Sequence, residues 1–130
     1  MFDAGIAGQT PQIRIGMLKE ALLRNVRFVA TLGFHTGTLT VDDATKLFAV
    51  KGFVDLANAR QQAVRGTFDP MYLAYTLGKL MIKNLYADWR KLHPAGTLGE
   101  FHDAFLSHGC APIPVIRRAL LGPAAAGSPL

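Results

Sequence analysis

One cysteine, Cys110, is all the thiol chemistry this chain carries. That excludes an intrachain disulfide and a CxxC metal site. Charge is the second shortage: 18% of the residues are charged, against roughly 25% in an average soluble domain. A small domain standing alone uses more charge to cover its surface. The balance therefore fits either a piece of something larger or a compact helical protein with an alanine-rich surface. Long apolar runs are also missing. Hydrophobic residues make up 50% of the chain, yet no stretch approaches the ~18 residues of a membrane span. The opening, MFDAGIAGQTPQIR, has neither the basic n-region nor the apolar h-region of a signal peptide, and the compartment is not legible from it. There is no strand-like alternation of useful length, no repeat and no internal domain boundary.

The 130 residues make one domain or part of one. They carry a net charge of +5. The basic residues are scattered (Arg14, Arg24, Arg27, Arg60, Arg65, Lys79, Lys83, Arg90, Lys91, Arg117 and Arg118). No run reaches the five or six like charges of a nucleic-acid tail, so a solvated surface is the expectation, with no nucleic-acid partner.

Helical signals follow one another along the chain. Residues 1–10 carry Gly5 and Gly8 and read as a loop. Thr10-Pro11 is a hydroxyl cap followed by proline at the first helical position. Ile15, Leu18, Leu22, Val26, Val29 and Leu32 then recur at three- and four-residue steps, with Glu20 and Arg24 spaced as an i,i+4 pair. Gly33 is the expected end of this helix. Thr40 caps the next, with Asp42 and Asp43 in its first turn. Gly52 breaks it, and residues 53–64 continue as a further helical piece, followed by a loop at 65–68. The longest helix is expected over 69–92, capped by Asp69 with Pro70 first. Met71, Tyr75, Gly78, Ile82, Leu85, Trp89 and Leu92 form its main stripe. Its first half is apolar all round and needs neighbours on every side. Gly78 in that stripe costs ~1 kcal/mol against alanine, for which a closely approaching helix or ligand is a reason. His93-Pro94-Ala95-Gly96 stops the helix. Thr97 and Glu100 form a capping box for residues 98–107. A last helix spans 113–121, and the tail AAAGSPL reads as disordered. The fold class is all-α, with about five or six helices and short loops.

Chemistry is sparse. There is no HExxH, no histidine pair on one helix face, no nucleophile elbow and no phosphate loop. His102 and His108 sit near Asp103 but face different ways on a helix. The helix-Gly-helix over 40–64 lacks the basic face of a DNA reader. What remains is a polar set about the long helix: Arg65 before it, with Tyr75 and Lys79 one turn apart on it. Tyr75 reads either as a core ring whose hydroxyl finds a carbonyl, or as a phenol donor in a cleft with Arg65 near enough to hold a carboxylate.

Five segments, in this order and spacing, carry a resemblance: LKEALLRNVRF (18–28), LGFHTGTLTVDDATKLF (32–48), ARQQAVRGTFDPMYLAYTLGKLMI (59–82), EFHDAFLSHG (100–109) and PIPVIRRALLG (112–122). Together they make the chain resemble the C-terminal part of the bacterial "domain of unknown function 885" family, whose members look like zinc metallopeptidases of the gluzincin type. The resemblance implies an almost wholly helical fold over residues 1–122, with 123–130 as a tail. It implies zinc ligands in an HExxH helix and a later glutamate helix, both before the matched region and neither present here. On that reading the chain is a C-terminal fragment, binds no cofactor itself, and is inactive alone. Zinc would be expected in a full-length relative. The partners would be the missing N-terminal catalytic portion and a peptide-like substrate. Tyr75, in AYTLGKL, would be the oxyanion donor. Arg65 would hold a substrate carboxylate or orient that tyrosine. His35, Lys79 and His102 would line the substrate site, the two histidines alternatively linking loops by hydrogen bonds. Phe68 departs from the family, where tyrosine is common, and has no hydroxyl to offer. The reading from a different class is a small autonomous basic helical module that binds an anionic partner.

Overall fold

Thr10 and Pro11 begin the first helix as their chemistry dictates. The Thr10 hydroxyl accepts from the Ile13 amide at 3.4 Å, and proline takes the position where no amide is missed. In the computed structural model, which describes residues 10–122, this helix, α1, spans Pro11–His35. The opening loop at 1–9 and the expected disordered tail lie outside the described residues. Among the described residues the chain is all-α, with six α-helices, one 3-10 turn and no strand. The order after α1 is α2 (Val41–Gly52), α3 (Leu56–Phe68), the 3-10 turn Pro70–Leu73, α4 (Ala74–Leu92), α5 (Leu98–Leu106) and α6 (Ile113–Leu121).

Several boundaries differ from expectation for identifiable reasons. Gly33 does not end α1. It is buried inside the helix, and a Cβ there would lie 2.4 Å from the Leu39 side chain. The glycine makes room for Leu39, and the chain turns later, at Gly37 with φ of 71°. Gly52 is the last residue of α2. The left-handed residue after it is Phe53, at φ 52°, a conformation uncommon for a bulky side chain. Helix α3 starts behind Asp55, whose carboxylate accepts from the Asn58 amide at 3.1 Å. It runs on through Phe68, so Arg65 stands on a helix and not in a loop.

The expected long helix over 69–92 is likewise two pieces. Asp69 makes no side-chain cap. Its Oδ2 instead accepts from Arg65 Nε and Nη2 at 3.3 and 3.2 Å. Pro70 opens a 3-10 turn, a common form of a helix's first turn, and α-helical geometry begins only at Ala74.

The described chain divides into two compact units, the first ending at Thr76 and the second starting at Leu77. In the first, Val26 and Ala30 of α1, Ala44 and Phe48 of α2, Ala59 and Ala63 of α3, and Tyr72 form the core. Alanine rows let helices α1 to α3 approach closely. Much of the apolar stripe expected to be core on α1 is outside: Ile15 is 65% exposed and Leu18 61%, with Val29 and Leu32 also exposed. In the second unit, Leu85, Trp89, Phe101 and Ile116 make an aromatic-rich core. The Thr97–Glu100 capping box forms as read, with the Thr97 amide donating to Glu100 Oε2 at 2.7 Å. Trp89 stacks on His93 with ring centroids 4.5 Å apart. Asp88 accepts from Lys91 at 2.7 Å and from the nearly buried Arg117.

Candidate functional site

The polar side chains of the first unit gather around a tyrosine, but not the one the sequence pointed to. Tyr72, in the 3-10 turn, is 2% exposed, whereas Tyr75, in the first turn of α4, is 58% exposed. The core-ring reading of Tyr75 therefore fails, and Tyr72 fills that role. Burying Tyr72 requires a partner for its hydroxyl. It donates to Gln62 Oε1 on α3, which also accepts from Arg27 Nε on α1 at 3.0 Å. The Arg27 and Arg65 guanidinium carbons lie 4.8 and 4.9 Å from the centroid of the Tyr72 ring. Both distances fall within cation–π range. Gly66, beside the Tyr72 ring, makes room for Phe34, whose ring a Cβ there would meet at 2.9 Å.

Electrostatics at this cluster oppose one another. Burial raises the Tyr72 phenol above its ordinary value near 10, and the positive charges of Arg27 and Arg65 pull it back. The hydroxyl therefore stays neutral and acts as a donor near neutral pH. Arg65 is exposed and neutralised by Asp69. Arg27 is half-buried, and none of the ion pairs of the described residues involves it.

Tyr75 stands on the same unit with the Arg24 guanidinium 5.8 Å from its ring centroid. Arg24 in turn reaches Glu20 at 3.8 Å, the i,i+4 pair read from the sequence. Arg65 and Tyr75 thus share a unit. His35, at the end of α1, is exposed, as are Lys79 and His102 in the second unit. Neither histidine links loops by a hydrogen bond among the described residues; His102 has only a ring contact with Phe101 at 5.9 Å. Phe68 is exposed at the end of α3. It lies beside Leu56, Ala57, Val64 and Arg65 along an apolar groove. Gly78 has open space where its Cβ would be, so no packing neighbour within 4 Å explains it.

Arg27, Gln62 and Tyr72 were not singled out by sequence reasoning. A signal existed in the Arg24/Arg27 pair, three residues apart on one helix, and in a glutamine between the buried alanines of α3. Neither has meaning until α1, α3 and the 3-10 turn are brought together.

A family model matches residues 1–120, described as bacterial protein of unknown function (DUF885). The chain belongs to that family. Comparison with curated proteins and with solved structures gave no match. The DUF885 match spans both units and includes every residue of the tyrosine cluster. The zinc suggested by the resemblance does not fit the residues present. Among the described residues no group of three His, Cys, Asp or Glu side chains could hold a metal ion. No helix there is long and apolar enough to cross a membrane.

Proposed function

We propose that this DUF885 chain is the C-terminal helical portion of a zinc-dependent, peptidase-like hydrolase. It forms part of the substrate cleft and has no activity alone. Metal ligands, in this reading, come from elsewhere in the family domain. The observation that carries the proposal is the exposed phenol of Tyr75, set in the first turn of a helix with a guanidinium beside its ring. A phenol so placed can donate to an oxygen that gains negative charge as a carbonyl becomes tetrahedral. Arg65, tied to Asp69 and lying against the Tyr72 ring, serves to fix the segment that carries Tyr75. The exposed apolar side chains of α1 and α3 (Ile15, Leu18, Leu56, Val64 and Phe68 among them) are the faces against which the rest of the domain would pack.

The test is complementation. The chain alone should hydrolyse no fluorogenic peptide and take up no stoichiometric zinc. Combined with the metal-binding portion of a family member, it should restore hydrolysis. In that complex Tyr75→Phe should lower kcat by about 100-fold or more with KM nearly unchanged. Tight one-to-one zinc binding by the chain alone, or an unchanged kcat in Tyr75→Phe, would overturn the proposal.

A further inference from the structure

A half-buried guanidinium is costly to leave without a counter-ion, because it gives up part of its hydration. The first unit contains such a group. Arg27 rises from α1 into the cluster and gives its Nε to the Gln62 amide oxygen. Its guanidinium lies 4.8 Å from the centroid of the Tyr72 ring. A neutral amide and a neutral phenol, which meets the guanidinium by both its ring and its hydroxyl, are weak compensation for a full charge. Asp69, the carboxylate that reaches this cluster, is engaged twice by Arg65. The other guanidinium nearby, Arg24, has Glu20. Arg27 alone of the three has no carboxylate among the described residues, and it is less exposed than Arg65. Its Nε–H is fixed by Gln62, which sets the plane of the guanidinium. A planar fork held in that way matches the two oxygens of a carboxylate.

We infer that Arg27 is the seat of a ligand carboxylate, held beside Gln62 and Tyr72. The assignment moves carboxylate recognition from Arg65, already neutralised, to Arg27. It deepens the reading above and rests on it only for the ligand's peptide-like character. Binding is measured without hydrolysis, so failure of the hydrolase reading and failure of this inference are distinguishable. The carboxylate could be the C-terminus of the peptide or an acidic side chain within it, and the probes separate these two sources.

The experiment titrates the whole chain with three probes: N-acetyl-dialanine, its C-terminal amide, and N-acetyl-alanyl-glutamate amidated at its C-terminus. The Arg27 Nε–Hε resonance is followed by NMR. The free acid should bind, with displacement of that resonance and weakening by salt, while the uncharged amide binds about tenfold or more weakly. Comparable binding of the amidated glutamyl probe would place the carboxylate in a side chain. Weak binding of that probe would place it at the terminus; either result supports the seat. Arg27→Gln should lose binding of the acid by about tenfold or more, and Arg65→Gln by less than about threefold. Far-UV circular dichroism checks that the variants fold. Should Arg27→Gln fail to fold, Arg27→Lys decides the matter, since it keeps the charge and stem but loses the fork. Equal affinity for acid and uncharged amide, no binding of any probe, or unchanged affinity in the folded Arg27 variant would overturn the inference.

Discussion

In the first unit, four of the seven core residues are alanines (Ala30, Ala44, Ala59 and Ala63), joined by Val26, Phe48 and Tyr72. In the second, the core is Leu85, Trp89, Phe101 and Ile116. Small side chains allow three helices to lie close, but they bury little apolar area per residue. The larger apolar residues of those same helices, such as Ile15, Leu18, Leu56 and Val64, are left facing outward. The second unit packs large rings inside, with the Tyr86, Trp89 and Phe101 centroids within 6.4 Å of one another. Its buried cation, Arg117, meets the carboxylate of Asp88. The first unit's half-buried cation, Arg27, meets an amide and a phenol ring. Both units leave apolar side chains outside, Leu92, Leu98, Leu106 and Val115 in the second among them, and the contrast lies in how each half-buried or buried cation is met.

The largest expected effect separates the two cores. Phe48→Ala should cost about 3–5 kcal/mol in the first unit, and Leu85→Ala about 2–5 kcal/mol in the second. The single tryptophan, Trp89, reports the second unit alone. Urea titrations of Phe48→Ala should show an early loss of helical circular dichroism with the Trp89 fluorescence transition in place. Leu85→Ala should move the fluorescence transition. A common shift of both signals in either variant would erase the distinction between the units.

A smaller effect concerns pH. In both units hydrogen bonds hold carboxylates below their ordinary range: Asp43 and Asp55 in the first, by Thr40 and Asn58; Asp88 and Glu100 in the second, by Lys91 with Arg117, and by Thr97. Carboxylates lowered in the fold contribute stability above their unfolded values, and that stability is lost as pH falls through the lowered ones. Both units should therefore weaken in acid. Tyr72 is shifted the other way. Its contribution is present below pH 10, the ordinary tyrosine value, and is lost as pH rises from there through the raised value. The first unit should accordingly melt at lower temperature on the alkaline side, and Tyr72→Phe should remove that dependence. At neutral pH, Asp88→Asn should cost the second unit about 1.5–3 kcal/mol through its hydrogen bonds to charged groups. An alkaline loss that persists in Tyr72→Phe would assign it to another group.

The smallest change is a gain. Gly78, in α4, has nothing near its Cβ position, so Gly78→Ala should stabilise the chain by about 1 kcal/mol in thermal melts. If the same substitution impairs assembly with the metal-binding portion of a relative, a partner helix approaches there. Equal tolerance in both settings would make Gly78 incidental.

Most of the helical order was legible in the sequence because its signals are local. Thr10 with Pro11, Thr40 with Asp43, and Thr97 with Glu100 act within three residues and form as read. The boundaries that moved were those where a distant side chain intervened. Gly33 carries the local signal of a helix stop, but Leu39 occupies the space beside it and the helix runs on. Asp69 before Pro70 carries the local signal of a cap, but its carboxylate pairs with Arg65 instead. Burial was least legible. A three-four periodicity shows that α1 has an apolar face, but not whether that face is covered, and Ile15 and Leu18 are not.

The sequence by itself determined the fold class, the starts of α1, α2, α5 and α6 and the DUF885 family, since these depend on local chemistry and on ordered motifs along the chain. Tertiary structure alone decided which tyrosine is buried, which arginine is neutralised and which meets no carboxylate among the described residues. Arg27 and Gln62 are 35 residues apart in sequence, and Tyr72 is ten beyond Gln62. No local rule links residues so far apart. Their partnership exists only because the small side chains of Ala30 on α1 and of Ala59 and Ala63 on α3 leave room for the helices to pack, so that the Gln62 amide oxygen on α3 accepts from Arg27 on α1 and from Tyr72 in the 3-10 turn.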